Sequence, residues 1–189
     1  MQSERHNALS ELSKLGSWIH PERLPAGLEA LSKSQQNRWL CHQYRVALPP
    51  FAEIVSPNSH MLMVIWPQLA RLCLMTGSLG YTGAICAMRL QPRYQPGDLA
   101  FVTSLSHQCC PVPAGLPAGG VNISLLCCRG WDACCQALVL SASIKQLGAL
   151  ALPPNDKAGA PLAPLFVSCR ISQTINGIIN YLLEDHHYE

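Results

Sequence analysis

Ten cysteines and seven histidines are the residues of this 189-residue chain that could carry chemistry. The cysteines are Cys41, Cys73, Cys86, Cys109, Cys110, Cys127, Cys128, Cys134, Cys135 and Cys169, and six of them form three adjacent pairs. In a secreted chain they would read as a disulfide framework. The first residues, MQSERHNALSELSKLGSW, show no apolar signal-peptide region. The expected setting is therefore reducing cytosol, with free thiols and an unglycosylated Asn122-Ile123-Ser124 sequon. Zinc sites draw on C-x₂₋₄-C pairs that converge on one tetrahedral centre. Adjacent residues on a helix point about 100° apart, so a Cys-Cys pair rarely gives two ligands to one ion. No C-x-x-C occurs, which also removes the thioredoxin-like redox motif. A folded-back site through Cys128 and Cys134, around Gly130, stays open. The alternative treats cysteine as a small buried apolar side chain.

The other constellations are weaker. His186-His187 lies in a polar tail, where a solvated terminus competes with weak metal binding. No G-x-S-x-G supports a serine nucleophile, and nothing singles out one Cys–His pair. Walker and G-x-G-x-x-G loops are missing. Gly77-Ser78-Leu79-Gly80-Tyr81-Thr82-Gly83 lacks a preceding strand and a phosphate-binding Lys, so it reads as a turn and a close helix–helix contact. Thirteen basic against eleven acidic residues, a net +2 and 6% aromatic residues argue against nucleic acid. The sequence thus predicts no enzyme, no catalytic or metal-binding residues, no cofactor and no small-molecule substrate.

Composition says more about setting. Hydrophobic residues make up 49%, enough for a core, while charged residues are only 13%, which favours burial against partners. The longest uncharged stretch of the apolar middle, Leu72 to Met88, is 17 residues and glycine-rich. It sits at the short limit for a membrane span. It reads as two buried helices with a bend, against a membrane-inserted hairpin or span.

Periodicity gives a mainly α chain, a single compact domain over 1–189 of about six or seven short helices with Pro/Gly-rich loops. Residues 1–16 form a frayed amphipathic helix, with Leu9, Leu12 and Leu15 or Gly16 at spacing three. Pro21 suits the first position of a short turn, keeps His20 extended and leaves Glu22 at the positive end of the dipole. Residues 35–48 put Leu40, Tyr44, Ala47 and Leu48 on one helical face and Arg38 and Arg45 on another, with Pro49-Pro50 as the stop. A loop through Pro57-Asn58 follows. The run 60–76 is divided at Pro67, after which Leu69, Leu72, Cys73 and Thr76 share a face and Gly77 serves as the cap. Further helices are expected over 79–90, 97–108 and 131–148. Residues 121–128 are ambiguous between strand and helix. Residues 109–120 and 152–164 are loops. Ile171, Ile175, Ile178, Ile179 and Leu182 predict a last amphipathic helix, with Arg170, Gln173, Asn176 and Asn180 on its opposite face.

The segment Ser17 to Pro25, SWIHPERLP, carries a resemblance. Trp18, His20, Pro21, Arg23 and Leu24 match an aromatic-x-His-Pro-x-Arg-Leu pattern. It resembles the opening of the K-type (SctK) accessory proteins of bacterial type III secretion systems. The stretch Trp66 to Gly80, WPQLARLCLMTGSLG, followed by Arg89-Leu90, is similar to their Pro-started, leucine-rich middle helix and small-residue turn. Together these cover about 40 residues. Beyond Gln95 only the layout agrees, and the Cys- and Pro-rich stretch 109–135 departs from the family. The resemblance implies a non-enzymatic cytoplasmic adaptor at the cytoplasmic face of the inner membrane. It would link the Q-type sorting-platform protein to the D-type inner-membrane ring protein, and indirectly the L-type stator and N-type ATPase. Trp18 and Arg23 belong to residue types enriched at binding hot spots. The matched residues then serve either as a partner contact or as an internal clasp, with Trp18 and Leu24 in the core and Arg23 paired to an acid. The competing reading is a metal or redox-sensing module within Cys109 to Cys135.

Overall fold

The computed structural model describes residues 14–46, 49, 51–54, 56–109, 120–154 and 171–185. Among these no strand occurs. The helices are α1 (Leu15–Trp18), α2 (Lys33–Gln43), α3 (Phe51–Ile54), α4 (Pro57–Val64), α5 (Leu69–Ser78), α6 (Thr82–Ala87), α7 (Asp98–Cys109), α8 (Ile123–Ala137), α9 (Ala142–Ala151) and α10 (Ile171–Asp185). Four 3-10 turns join them, at Pro21–Arg23, Leu28–Ala30, Trp66–Gln68 and Gln91–Arg93. Contacts gather the described residues into two units. One runs to Leu69 and takes in Leu140–Pro154; the other runs from Ala70 to Val139 and takes in α10.

In the first unit α1 packs on α2. Leu15, Ile19, Leu28, Leu40 and Leu150 form a buried cluster. Helix α2 starts earlier than periodicity predicts, because Ser32 and Gln35 make a capping box. The Ser32 hydroxyl accepts from the Gln35 N–H at 3.4 Å, and the Gln35 side chain accepts from the Ser32 N–H at 2.9 Å. The helix also stops earlier, at Gln43. Arg45 takes φ +49, Val46 N–H donates to Cys41 O at 2.9 Å and Arg45 N–H to His42 O at 3.3 Å, which is a Schellman ending. Arg45 therefore does not share a helical face with Arg38, and Pro49-Pro50 is not the stop; Ala47 and Leu48 lie outside the described residues. The loop expected around Pro57-Asn58 is instead the start of α4, with Pro57 at the first position, where its missing N–H removes no bond.

The break at Pro67, near the end of the first unit's opening stretch, has the expected consequence: α5 follows the turn, and in the second unit Leu72, Cys73 and Thr76 are fully buried along it. Gly77 is not the cap. It lies inside α5, and the left-handed φ of +83 belongs to Gly80. A Cβ on Gly77 would stand 1.8 Å from Leu126 O, and one on Gly130 would stand 1.8 Å from Cys73 O. The two glycines let α5 and α8 touch backbone to backbone, which is the close contact expected of the Gly77–Gly83 stretch. The helix expected over 79–90 shrinks to α6. It ends in a second Schellman turn, with Arg89 at φ +56 and Leu90 N–H on Ile85 O at 3.0 Å.

Residues 121–128 resolve as helix. Asn122 accepts from the Leu125 N–H at 2.8 Å, and α8 runs on through both cysteine pairs to Ala137. The helix expected over 131–148 is therefore two, separated at residues 138–141, where Val139 takes φ +50 and Ser141 caps α9. Helix α7 matches its expectation. Most of both Pro/Gly loops, and residues 1–13, lie outside the described residues.

The last helix is the closest match. Ile175, Ile178, Ile179 and Leu182 are fully buried, and α10 packs on α8 and α7. Each such side chain is worth about 1.5–3 kcal/mol of burial. Gln173, Asn176 and Asn180 face outward. Arg71 ties the second unit together. Its Nε and Nη2 hold Asp98 at 3.0 and 2.7 Å, and its Nη1 holds Asp185 at 2.7 Å. Tyr181 stacks on Phe101 at 4.2 Å alongside.

Two glycine substitutions test this packing. Gly130→Ala drives a methyl into the Cys73 carbonyl and should cost about 1–3 kcal/mol or more. Gly177→Ala, on an open face of α10, should instead stabilise by about 0.5–1 kcal/mol. Urea denaturation of both variants checks the opposite signs.

Candidate functional site

The matched segment sits at the end of α9, and elementary helix chemistry says why. The last carbonyls of any helix have no partner in the next turn. Here the chain's N-terminal part supplies donors. His20 is extended (φ −55, ψ 133), as a residue before proline must be, and its N–H donates to Leu150 O at 3.0 Å. The Arg23 Nε donates to Leu152 O at 3.0 Å, just past the helix end. A cation there also suits the negative end of the helix dipole. Arg23 is thus paired to a backbone carbonyl, not to the acid expected for it.

The segment itself is braced. Pro21 opens the 3-10 turn, and the Glu22 N–H donates to His20 Nδ1 at 3.3 Å. Arg23 N–H donates to His20 O at 2.8 Å and Leu24 N–H to Pro21 O at 3.0 Å. The Tyr44 hydroxyl, at the end of α2, donates to Arg23 O. Gln146 on α9 reaches back to Tyr44 O at 3.0 Å. Trp18 and Leu24 are half-buried against the Leu15–Leu150 cluster. The Trp18 ring stands edge-on to Trp66, 5.4 Å between centroids.

The matched residues therefore come together beside the end of α9, with Trp18 and Leu24 half-buried and not in the core expected of them, and Pro21 exposed. What stays outward is small: Pro21 and Glu22 are exposed. Leu31 and Trp39, each 38% exposed, are the larger apolar side chains open to solvent in α2 and the turn before it. Periodicity places Tyr44 only on a helix face and gives no role to Leu150, Leu152 or Gln146. Leu150, Leu152 and Gln146 are over a hundred residues distant from the segment and leave no local signal.

The cysteines divide by burial. Cys73, Cys127, Cys134 and Cys135 are buried, Cys41 and Cys128 half-buried, and Cys86 exposed, all as free thiols. Cys73 lies in hydrogen-bonding contact with Cys134, and burial pushes its thiol well up. Burial also pushes Cys127 up to about 12. Among the described residues no three His, Cys, Asp or Glu side chains converge as metal ligands, and Cys128 and Cys134 form no such site. Cys109 belongs to α7, while Cys110, Cys169 and His186-His187 lie outside the described residues. Nor is any helix among the described residues long and apolar enough to cross a membrane.

The chain matches no family model, no curated protein and no solved structure in comparisons with known proteins.

Two outcomes follow for the site. Arg23→Ala removes a charged donor from a part-buried carbonyl and should destabilise by about 1.5–3 kcal/mol, read by thermal or urea denaturation. Cys127 is protonated in the folded chain up to about pH 12 but ionises near its ordinary value of 9.0 when unfolded. The unfolded state then binds fewer protons, so stability falls as pH rises between those values. Cys127→Ala should make that alkaline loss shallower.

Proposed function

We propose that the chain is a non-enzymatic adaptor of a bacterial type III secretion system, of the K type. It would work at the cytoplasmic face of the inner membrane, held there by the apparatus. Its partners would be the Q-type sorting-platform protein and the D-type ring protein, with the L-type stator and N-type ATPase reached indirectly. The observation that carries this reading is the Trp18, His20, Pro21, Arg23, Leu24 pattern, supported by the Pro-started helix after Trp66.

The action would be multivalent docking, with no bond made or broken. A chain with 13% charged residues has few charges to desolvate against protein partners. In this reading the matched pattern serves to close a helix end. It fixes the backbone of the first unit, and the outward Pro21 and Glu22 within it, together with Leu31 and Trp39, do the contacting. Rigid anchors of this kind bind with little loss of side-chain freedom.

Deleting the gene should abolish effector export while the membrane rings still assemble, and the chain should co-purify with the Q-type protein. Normal export from the deletion strain would exclude the reading. Trp39→Ala should weaken that co-purification without unfolding the chain.

A further inference from the structure

One helix face in the first unit carries positive charge with nothing to balance it. From Ala30 to Ala52 the chain holds Lys33, Arg38 and Arg45 and no Asp or Glu, although the whole chain is only +2. Helix α2 lies inside this stretch. At about 100° per residue, Arg38, Trp39 and His42 fall in one sector of it, turned away from the buried Gln36 and Leu40. All three are exposed, as are Lys33 at the helix start and Arg45 just past its end. Among the described residues none of these cations meets a carboxylate.

The face is fixed at both ends. The capping box of Ser32 and Gln35 sets its start. At its end the Gln146 amide donates to Tyr44 O at 3.0 Å and to Arg45 O at 3.4 Å. A surface held in one shape before binding loses little freedom on binding. Arg45 takes φ +49, which glycine adopts without strain, so the turn itself does not call for an arginine there.

The chemistry selects the partner. An exposed Trp beside an exposed Arg is the pairing of a protein-binding hot spot. Guanidinium groups take carboxylates in bidentate, charge-assisted pairs. Three Lys and Arg are fewer than the roughly four to eight that mark a membrane-binding cluster. A nucleic-acid groove needs a track of cations with several stacking aromatics, and this face has one.

We propose that the outer face of α2 docks an acidic segment of a partner protein, with Trp39 as the apolar anchor and Arg38 as the carboxylate-binding residue. This deepens the adaptor reading, in which Trp39 is a contact, by giving the charge of what it meets. It rests on that reading for the partner's identity and not for the face.

The test is a ¹⁵N–¹H NMR titration of the full chain with hexaglutamate. The amide signals of Arg38 and His42 and the indole signal of Trp39 should move saturably. Hexalysine, and sodium chloride at matched ionic strength, should not move them. Arg38→Glu should weaken the binding about tenfold or more, because like charges then face each other. Arg45→Gly suits the backbone and should leave the fold at least as stable, yet weaken binding about two- to threefold. Signals unmoved by hexaglutamate, or moved equally by chloride, overturn the proposal. So does a face that answers phosphatidylglycerol vesicles or a DNA duplex but not hexaglutamate. Failure of the wild-type chain to retain the Q-type protein would sink the adaptor reading and leave a hexaglutamate-binding face standing.

Discussion

The end of α9 is the constraint on which the first unit depends. Helix carbonyls left bare at a buried end cost free energy, and Pro153-Pro154 just beyond have no N–H to offer. The donors come instead from His20 and Arg23. Proline at position 21 holds His20 extended so that its N–H points outward to a partner. Each residue type of the pattern thus has a physical role. Histidine steadies the turn and proline sets it. Arginine spans to the carbonyl, and leucine and tryptophan pack beneath.

The second unit rests on contact of a different kind. Two glycines allow α5 and α8 to meet at backbone distance, and cysteines on both helices fill the remaining space. Small side chains are what such a crossing admits, and a thiol serves there as a compact apolar group. Cysteine abundance in α8 is thereby explained by packing. The raised thiols of Cys73 and Cys127 belong with that role, since thiolate is the reactive form and burial suppresses it.

How much of this is legible in the sequence varies with the range of the signal. Ile175, Ile178, Ile179 and Leu182 announce α10 because burial alone sets their spacing. Pro67 marks a break because its chemistry is local. Helix ends escape notice where the left-handed residue is Arg45, Arg89 or Val139, since glycine is the usual marker of such endings. Residues 121–128 alternate over too short a window, and the Asn122 cap outweighs that alternation. In the site, the local turn at Pro21 is readable and its long-range acceptors are not. An acid is the obvious partner for Arg23, but a helix end is itself an acceptor.

Native-state hydrogen exchange at the His20 amide tests the central claim most directly. If the segment closes α9, this amide exchanges only when the whole first unit opens, as slowly as the amides of α2 around Leu40. Exchange at the rate of a frayed loop, with α2 still protected, would contradict the account.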